Sequence, residues 1–246
     1  MRDCVLWYSS VVAHGSTILV ASLVVLALCV TPWRARADAG RPTSGDMSII
    51  SGRTLGNDQT VLAAGVGWPG IWAGLWLAPS SRFNLGFRGS VLYGSPIMGF
   101  SGGVGGELSV PLRLHIFGKG QLDISISLTP SFTIGQGSLV GQEDLYVDHM
   151  GYAGRVDGGL IAGAQVSRAV TLTLGAIGSF GYLDTPDRPS AAFFFGTVYG
   201  VAGVELLVSR DTMFIVETHG GYGFTSSSLF ASNAIGRVWV GIAYLL

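Results

Sequence analysis

The stretch LDISISLTPSFTI, residues 122–134, divides into two chemical sets. Leu122, Ile124, Ile126, Leu128, Pro130, Phe132 and Ile134 take every second position, and Asp123, Ser125, Ser127, Thr129, Ser131 and Thr133 take the rest. A helix would scramble the two sets, whereas a strand sends successive side chains to opposite faces. The stretch therefore reads as a strand with one oily face and one polar face.

Working outward, Leu108, Val110, Leu112, Leu114 and Ile116 alternate with Ser109, Pro111, Arg113 and His115 just upstream. Gly118-Lys119-Gly120 supplies the turn between the two runs, so the pair is a hairpin. The unit recurs. Residues 71–78 turn at Pro79-Ser80-Ser81-Arg82 into 83–93, residues 160–166 turn at Ser167-Arg168 into 170–182, and residues 194–206 turn at Ser209-Arg210 into 212–222. Longer connections, 94–106, 136–151, 184–191 and 225–234, join the hairpins. An opening strand near 60–68 and a closing strand near 235–246 bring the expectation to about ten strands, with eight or twelve as the neighbouring solutions. An even number puts both ends of the sheet and all four tight turns on one side. The longer loops fall on the other, where Trp68-Pro69-Gly70 is the single short connection.

Composition narrows the class. Only 12% of the 246 residues are charged, Lys occurs once, at Lys119, and aromatics make up 11%, which excludes a disordered chain. A net charge of −1 with no basic cluster gives no reason to expect nucleic acid as a partner. A helical membrane protein needs apolar runs of roughly 20 residues. Only 18–30 approaches that, and it lies in what reads as a signal peptide over 1–37: Arg2 as the positive start, 18–30 as the apolar stretch and Ala35-Arg36-Ala37 as the small-x-small cleavage site. Cys4 and Cys29 both fall inside that leader, so the mature chain is expected to have no disulfide and no cysteine metal site. Residues 38–59 are polar and rich in turn formers and read as a flexible periplasmic lead-in, with Arg53-Thr54-Leu55-Gly56 touching the barrel floor. Residues 60–246 form the barrel.

A soluble sandwich would also alternate, with its apolar face turned inward. Here the polar faces are rich in Gly, Ser and Thr, and the chain has an export signal. In lipid every backbone N–H and C=O needs a partner within the protein, which a closed sheet provides. Lipid-facing aromatics then gather at the two interfaces. Trp68, Tyr93, Phe132, Tyr152, Phe180, Tyr182 and Tyr222 fall toward the loop side, with Phe83, Phe214 and Tyr244 toward the turn side. The fold class is all-β, an antiparallel up-and-down transmembrane β-barrel with short turns on one side and longer loops on the other.

Val238, Val240, Ile242, Tyr244 and Leu246 alternate up to the last residue. This resembles the C-terminal insertion signal of bacterial outer-membrane proteins, which the barrel assembly machinery reads; that signal usually ends in Phe or Trp, and this chain ends in Leu246. Over the whole mature region the layout is similar to small outer-membrane β-barrels of the broad OmpA/OmpW-like kind. The resemblance implies location in a Gram-negative outer membrane with both mature termini periplasmic. The partners it implies are outer-membrane lipid, lipopolysaccharide and, during insertion, the assembly machinery.

If Leu, Val and Ile mark the outside, parity assigns Arg88, Arg113, His115, Asp123, Arg155, Asp157, Glu205, Glu217, His219 and Arg237 to the lumen. Four arginines against four acids suggest pairing, because an isolated ion away from water is costly. Arg113 and Asp123 lie at similar depth from the Gly118–Gly120 turn and are the expected pair. The expected function is a structural role or a largely plugged lumen. The alternatives are a narrow channel or small-ligand barrel lined by those arginines, and an outer-membrane hydrolase. For the hydrolase, Glu217 and His219 share one face of a strand beside Ser226–Ser228 and could imitate a Ser/His/Glu set, although no recognised deacylase or protease motif surrounds them. The reading taken is non-enzymatic, with no cofactor and no metal. An acidic loop group, Glu143, Asp144, Asp148 and His149, is read as solvated rather than as a cation site. The run Gly102-Gly103-Val104-Gly105-Gly106 lacks the strand-then-helix setting of a dinucleotide fingerprint and is read as flexible outer loop.

Overall fold

The computed structural model describes residues 47–94, 104–136, 150–184, 193–225 and 233–246. The leader at 1–37, the acidic loop group and Ser226–Ser228 lie outside the described residues. The strands are β1 (Thr60–Trp68), β2 (Gly70–Ser80), β3 (Phe83–Leu92), β4 (Gly105–Ser109), β5 (Leu112–Lys119), β6 (Leu122–Gln136), β7 (Met150–Gln165), β8 (Val170–Asp184), β9 (Phe193–Leu207), β10 (Thr212–Thr225) and β11 (Asn233–Leu245).

Every neighbouring pair is antiparallel. β1 pairs with β11 as well as with β2, which closes the sheet, and the amide of Leu246 donates to the Thr60 carbonyl at the seam. β4 and β5 both lie between β3 and β6, so they are two halves of one stave and the barrel has ten. The break falls at Val110-Pro111, where proline has no N–H for the ladder. The surrounding groups are still satisfied: Gly86 donates to the Pro111 carbonyl at 2.7 Å and Val110 to the Pro130 carbonyl at 3.0 Å. A second irregularity in β5, between His115 and Phe117, adds a residue against β6.

The tight turns behave as their composition requires. Gly120 takes a positive φ of 63°, the left-handed conformation that closes the β5–β6 hairpin, with open space around it. The Ser-Arg turns use Ser hydroxyls locally: Ser167 and Ser209 accept from the amides of Ala169 and Asp211.

Burial shows which face is which. Leu, Val, Ile, Phe and Tyr side chains on one parity of every strand are exposed, Leu174 at 66% and Val198 at 60% among them, while the alternate positions are buried or half-buried. A barrel that exposes its oily face and encloses its polar one suits lipid, not water. Exposed aromatics form the loop-side belt, with Trp68 edge-on to Tyr93, Phe132 stacked on Tyr152, and Phe180 stacked on Phe194. Phe214, Tyr244 and Phe117 lie toward the turn side. Among the described residues no helix is long and apolar enough to cross a membrane; the crossing elements are strands.

Residues 47–56 differ from the expected flexible lead-in. Met47, Ile49, Ile50 and Leu55 are buried in one apolar cluster with Val61, Trp72, Trp76, Met213, Ile215 and Trp239 from the inner faces of β1, β2, β10 and β11. The segment is a strap inside the turn-side half of the lumen. Its driving force is ordinary apolar burial, roughly 1.5–3 kcal/mol per large side chain.

Candidate functional site

All ten residues assigned to the lumen by parity point inward, buried or half-buried, and the structure sorts them into two levels. The turn-side level is built around the strap. Oε1 of Glu205 on β9 accepts from the Ser48 hydroxyl (3.1 Å) and from the amides of Ile49 (2.8 Å) and Ile50 (2.9 Å). Across the barrel Arg113 on β5 donates from Nη2 to the Ile49 carbonyl at 2.5 Å. Asn84 on β3 accepts from the Leu55 amide, and the Thr54 hydroxyl donates to the Ser81 carbonyl in the β2–β3 turn. Ser125 on β6 donates to the Gly52 carbonyl. The strap's backbone is thus hydrogen-bonded by side chains from both sides, as a buried segment outside the sheet must be.

Gly52 is where the strap touches the wall. A Cβ there would collide with the Asp123 carbonyl on β6 and with the Gly163 amide on β7. Only glycine allows the two backbones to approach this closely.

The expected pair, Arg113 with Asp123, is not the one formed. Asp123 Oδ2 accepts from Nε of Arg53 on the strap at 2.8 Å, and its Oδ1 lies 3.0 Å from His115 Nε2. Arg113 is drawn to the strap carbonyl instead. Sequence parity could not find Arg53, which is on no strand.

The loop-side level holds the other charges. Arg155 on β7 reaches Glu107 on β4 (3.1 Å) and Asp157 two residues along its own strand (2.9 Å). Thr133 also donates to Glu107, and the Tyr199 hydroxyl donates to Asp157 at 3.2 Å. Tyr199 in turn stacks on the His219 ring, with centroids 5.2 Å apart. His219 Nε2 is 3.1 Å from Glu217 Oε1, two residues back on the same face of β10, without hydrogen-bond alignment. Arg88 lies between two indoles, 5.3 Å from Trp72 and 5.6 Å from Trp239, a cation–π sandwich that links the charged wall to the strap's apolar cluster. Arg237 adds its charge near Arg155, Glu107 and Asp157.

Sequence reading misses Glu107 because it starts the strand at Leu108, whereas β4 begins three residues earlier, at Gly105. With Arg53 and Glu107 added, the described lumen holds five arginines (53, 88, 113, 155, 237) and five acids (107, 123, 157, 205, 217). Charge balance at this density favours a cross-linked interior over a field that selects one ion sign. Among the described residues no three His, Cys, Asp or Glu side chains converge as a metal site requires. The Glu217–His219 contact lies in the lumen, and the serines that could complete a nucleophilic set fall outside the described residues.

No family model matches the chain, and no curated protein is similar to it. The solved structures to which it is similar include the following two. The outer membrane protease OmpT from Escherichia coli is 10% identical, with a TM-score of 0.36 and coverage of 78% of this chain and 94% of that one. Ail, the attachment invasion locus protein of Yersinia pestis, is 13% identical, with a TM-score of 0.34 and coverage of 77% and 99%. The non-enzymatic expectation is corrected here: a protease stands among the similar structures, and that expectation is withdrawn. At this identity the likeness assigns no activity. What agrees with the sequence-based resemblance is the architecture, a small β-barrel of the outer-membrane type.

Proposed function

We propose that this chain is an outer-membrane barrel whose lumen is closed by its own strap, residues 47–56, and that it serves as a structural, non-conducting element of that membrane. Both ends of its barrel lie on the tight-turn side, which in this reading faces the periplasm. The observation that carries the proposal is the seat of the strap: Glu205, Arg113, Asn84 and Ser125 all hold its backbone, and its apolar side chains fill the lumen against β1, β2, β10 and β11. A ten-stranded barrel is slightly wider than the eight-stranded size that side chains alone just fill. The strap supplies the missing interior.

The test is conductance in planar bilayers of the refolded mature chain, with heat-dependent gel migration as the check on folding. The intact barrel is expected to be silent, and a chain lacking residues 47–56 to give discrete steps. Reproducible steps from the intact chain would overturn the proposal in favour of a narrow channel lined by the lumenal arginines.

A further inference from the structure

The described lumen balances in charge but not in pairing. At the loop-side level Glu107 is taken by Arg155 and Thr133, and Asp157 by Arg155 and the Tyr199 hydroxyl. Glu217 sits beside His219 on its own strand. Arg155 thus serves two carboxylates, while among the described residues Arg88 and Arg237 have none at ion-pair distance. Arg88 rests between two indoles, with its Nε buried and without a hydrogen-bond partner. The three guanidiniums nevertheless come from β3, β7 and β11 toward one place. Glu107 lies in the field of Arg155, Arg237 and Arg88, and Arg155 and Arg237 act on each other as like charges. Ser90 and Ser179 stand directly across the ladder from Glu107 and Asp157, and their hydroxyls are buried and also unpartnered.

We propose that this level is a binding site for one small oxyanion of the phosphate type, held among Arg88, Arg155 and Arg237. A guanidinium enclosed without a carboxylate calls for a counter-ion, because an uncompensated buried charge is strongly unfavourable. One anion among the three answers Arg88 and Arg237 together and offsets the repulsion between Arg155 and Arg237. The level is not filled solid: Arg88 and Arg237 are half-buried, and the side chains of Arg155, Glu217 and His219 keep 12–15% of their surface exposed. The donors set the class of ligand. Guanidinium forks suit phosphate and carboxylate alike, but here they approach from three strands, with serine hydroxyls at the same level. A tetrahedral ion has an oxygen for each approach, whereas a planar carboxylate has two in all. The occupant is water-soluble, because these side chains face the lumen and the wall separates them from lipid. It arrives from the loop side, since the strap fills the turn-side half. Only this route rests on the seated strap; the affinity does not.

The experiment is isothermal titration calorimetry of the full mature barrel in detergent micelles, with inorganic phosphate as the ligand and acetate as the comparison anion. The wild type should take up one phosphate per chain and bind acetate roughly tenfold more weakly or less. Arg237→Gln should weaken phosphate by about tenfold or more. It should still show the heat-dependent migration of a folded barrel, because it removes a cation that no described carboxylate pairs. Arg168→Gln, in the exposed turn between β7 and β8, should bind phosphate as the wild type does. If Arg237→Gln does not migrate as a folded barrel, Arg88→Lys replaces it. That variant keeps a cation between the two indoles but loses the fork, and should weaken phosphate roughly fivefold. A wild type with no saturable uptake overturns the proposal, as does undiminished binding by the lumenal variant. An equal loss in Arg168→Gln overturns it in favour of binding at the outer turns, and acetate bound as tightly as phosphate overturns the assigned ligand class.

Discussion

Glu205 shows how a single carboxylate can hold a segment of chain. It is 2% exposed, and one of its oxygens takes three donors from the strap. Removing that oxygen strands two buried backbone N–H groups, at about 1–3 kcal/mol each. Glu205→Ala is therefore expected to lower the unfolding free energy by roughly 2–5 kcal/mol, read from the urea midpoint in lipid vesicles. Glu205→Gln keeps an acceptor oxygen of the same reach and should lose less than half as much. Equal losses would mean that the charge rather than the acceptor holds the strap. Arg155 plays the corresponding part on the loop side, with Glu107 and Asp157 both within ion-pair distance. Arg155→Met leaves two enclosed carboxylates without their counter-ion and should cost roughly 3–5 kcal/mol. Adding Glu107→Gln to that variant should recover part of the loss, because the uncompensated charge is then removed too; a strictly additive double variant would show that the two side chains do not act together.

At the scale of elements, the hairpins were legible because period-two patterning and turn chemistry are local signals, and each tight turn falls within two residues of where it is read, at Ser81-Arg82 and Gly120-Gln121 for the first two. Contact of Arg53-Thr54-Leu55-Gly56 with the barrel floor is expected from the sequence and is seen at Asp123, Ser81 and Asn84, but the burial of residues 47–52 inside the lumen was not legible, because a segment held by side-chain hydrogen bonds to distant strands has no period of its own. A signal for it did exist. β1, β2 and the turn-side halves of β10 and β11 are apolar on both faces, with Val61, Ala63, Trp72, Trp76, Met213, Ile215 and Trp239 pointing inward. An oily inner wall in an otherwise polar lumen implies something oily packed against it, and the nearest unassigned apolar residues are Met47, Ile49, Ile50 and Leu55. The pairing of Asp123 was misread for the same reason, since its partner Arg53 belongs to the strap. The strap makes its own prediction. The described chain has no cysteine, so Ser51→Cys introduces a single thiol at a position that is fully buried. It should react with a maleimide far more slowly than an exposed control such as Ser209→Cys, and Gly52→Val, which cannot seat against Asp123 and Gly163, should bring the two rates close together. Fast labelling of Ser51→Cys in the otherwise intact chain would place the strap outside the lumen.

For the whole molecule, the decisive property is that apolar exposure is organised rather than scattered. A water-soluble protein tolerates single exposed hydrophobic residues, and their replacement by a charge changes stability by about 0.5 kcal/mol or less. This barrel exposes Leu, Val, Ile and aromatic side chains around its strands, between two aromatic belts. Leu174 is a sharp probe of the difference. It faces outward on β8, between Val170 at the turn end and Phe180 in the loop-side belt, and it is 66% exposed. In water Leu174→Arg would replace an exposed oily side chain with a solvated one at almost no cost. In a bilayer the same arginine lies near the midplane, and the expected loss is about 2–4 kcal/mol. Leu246→Arg is the matched control. It is just as exposed, at 70%, but sits at the end of the closing strand, where a long cation can reach the interface and the cost falls to about 0–1 kcal/mol. Unfolding free energies measured in lipid vesicles should therefore separate two residues that exposure alone cannot tell apart. Equal, near-zero effects would mean that the oily face is not in hydrocarbon. The closed lumen depends on that placement, so this comparison tests its premise.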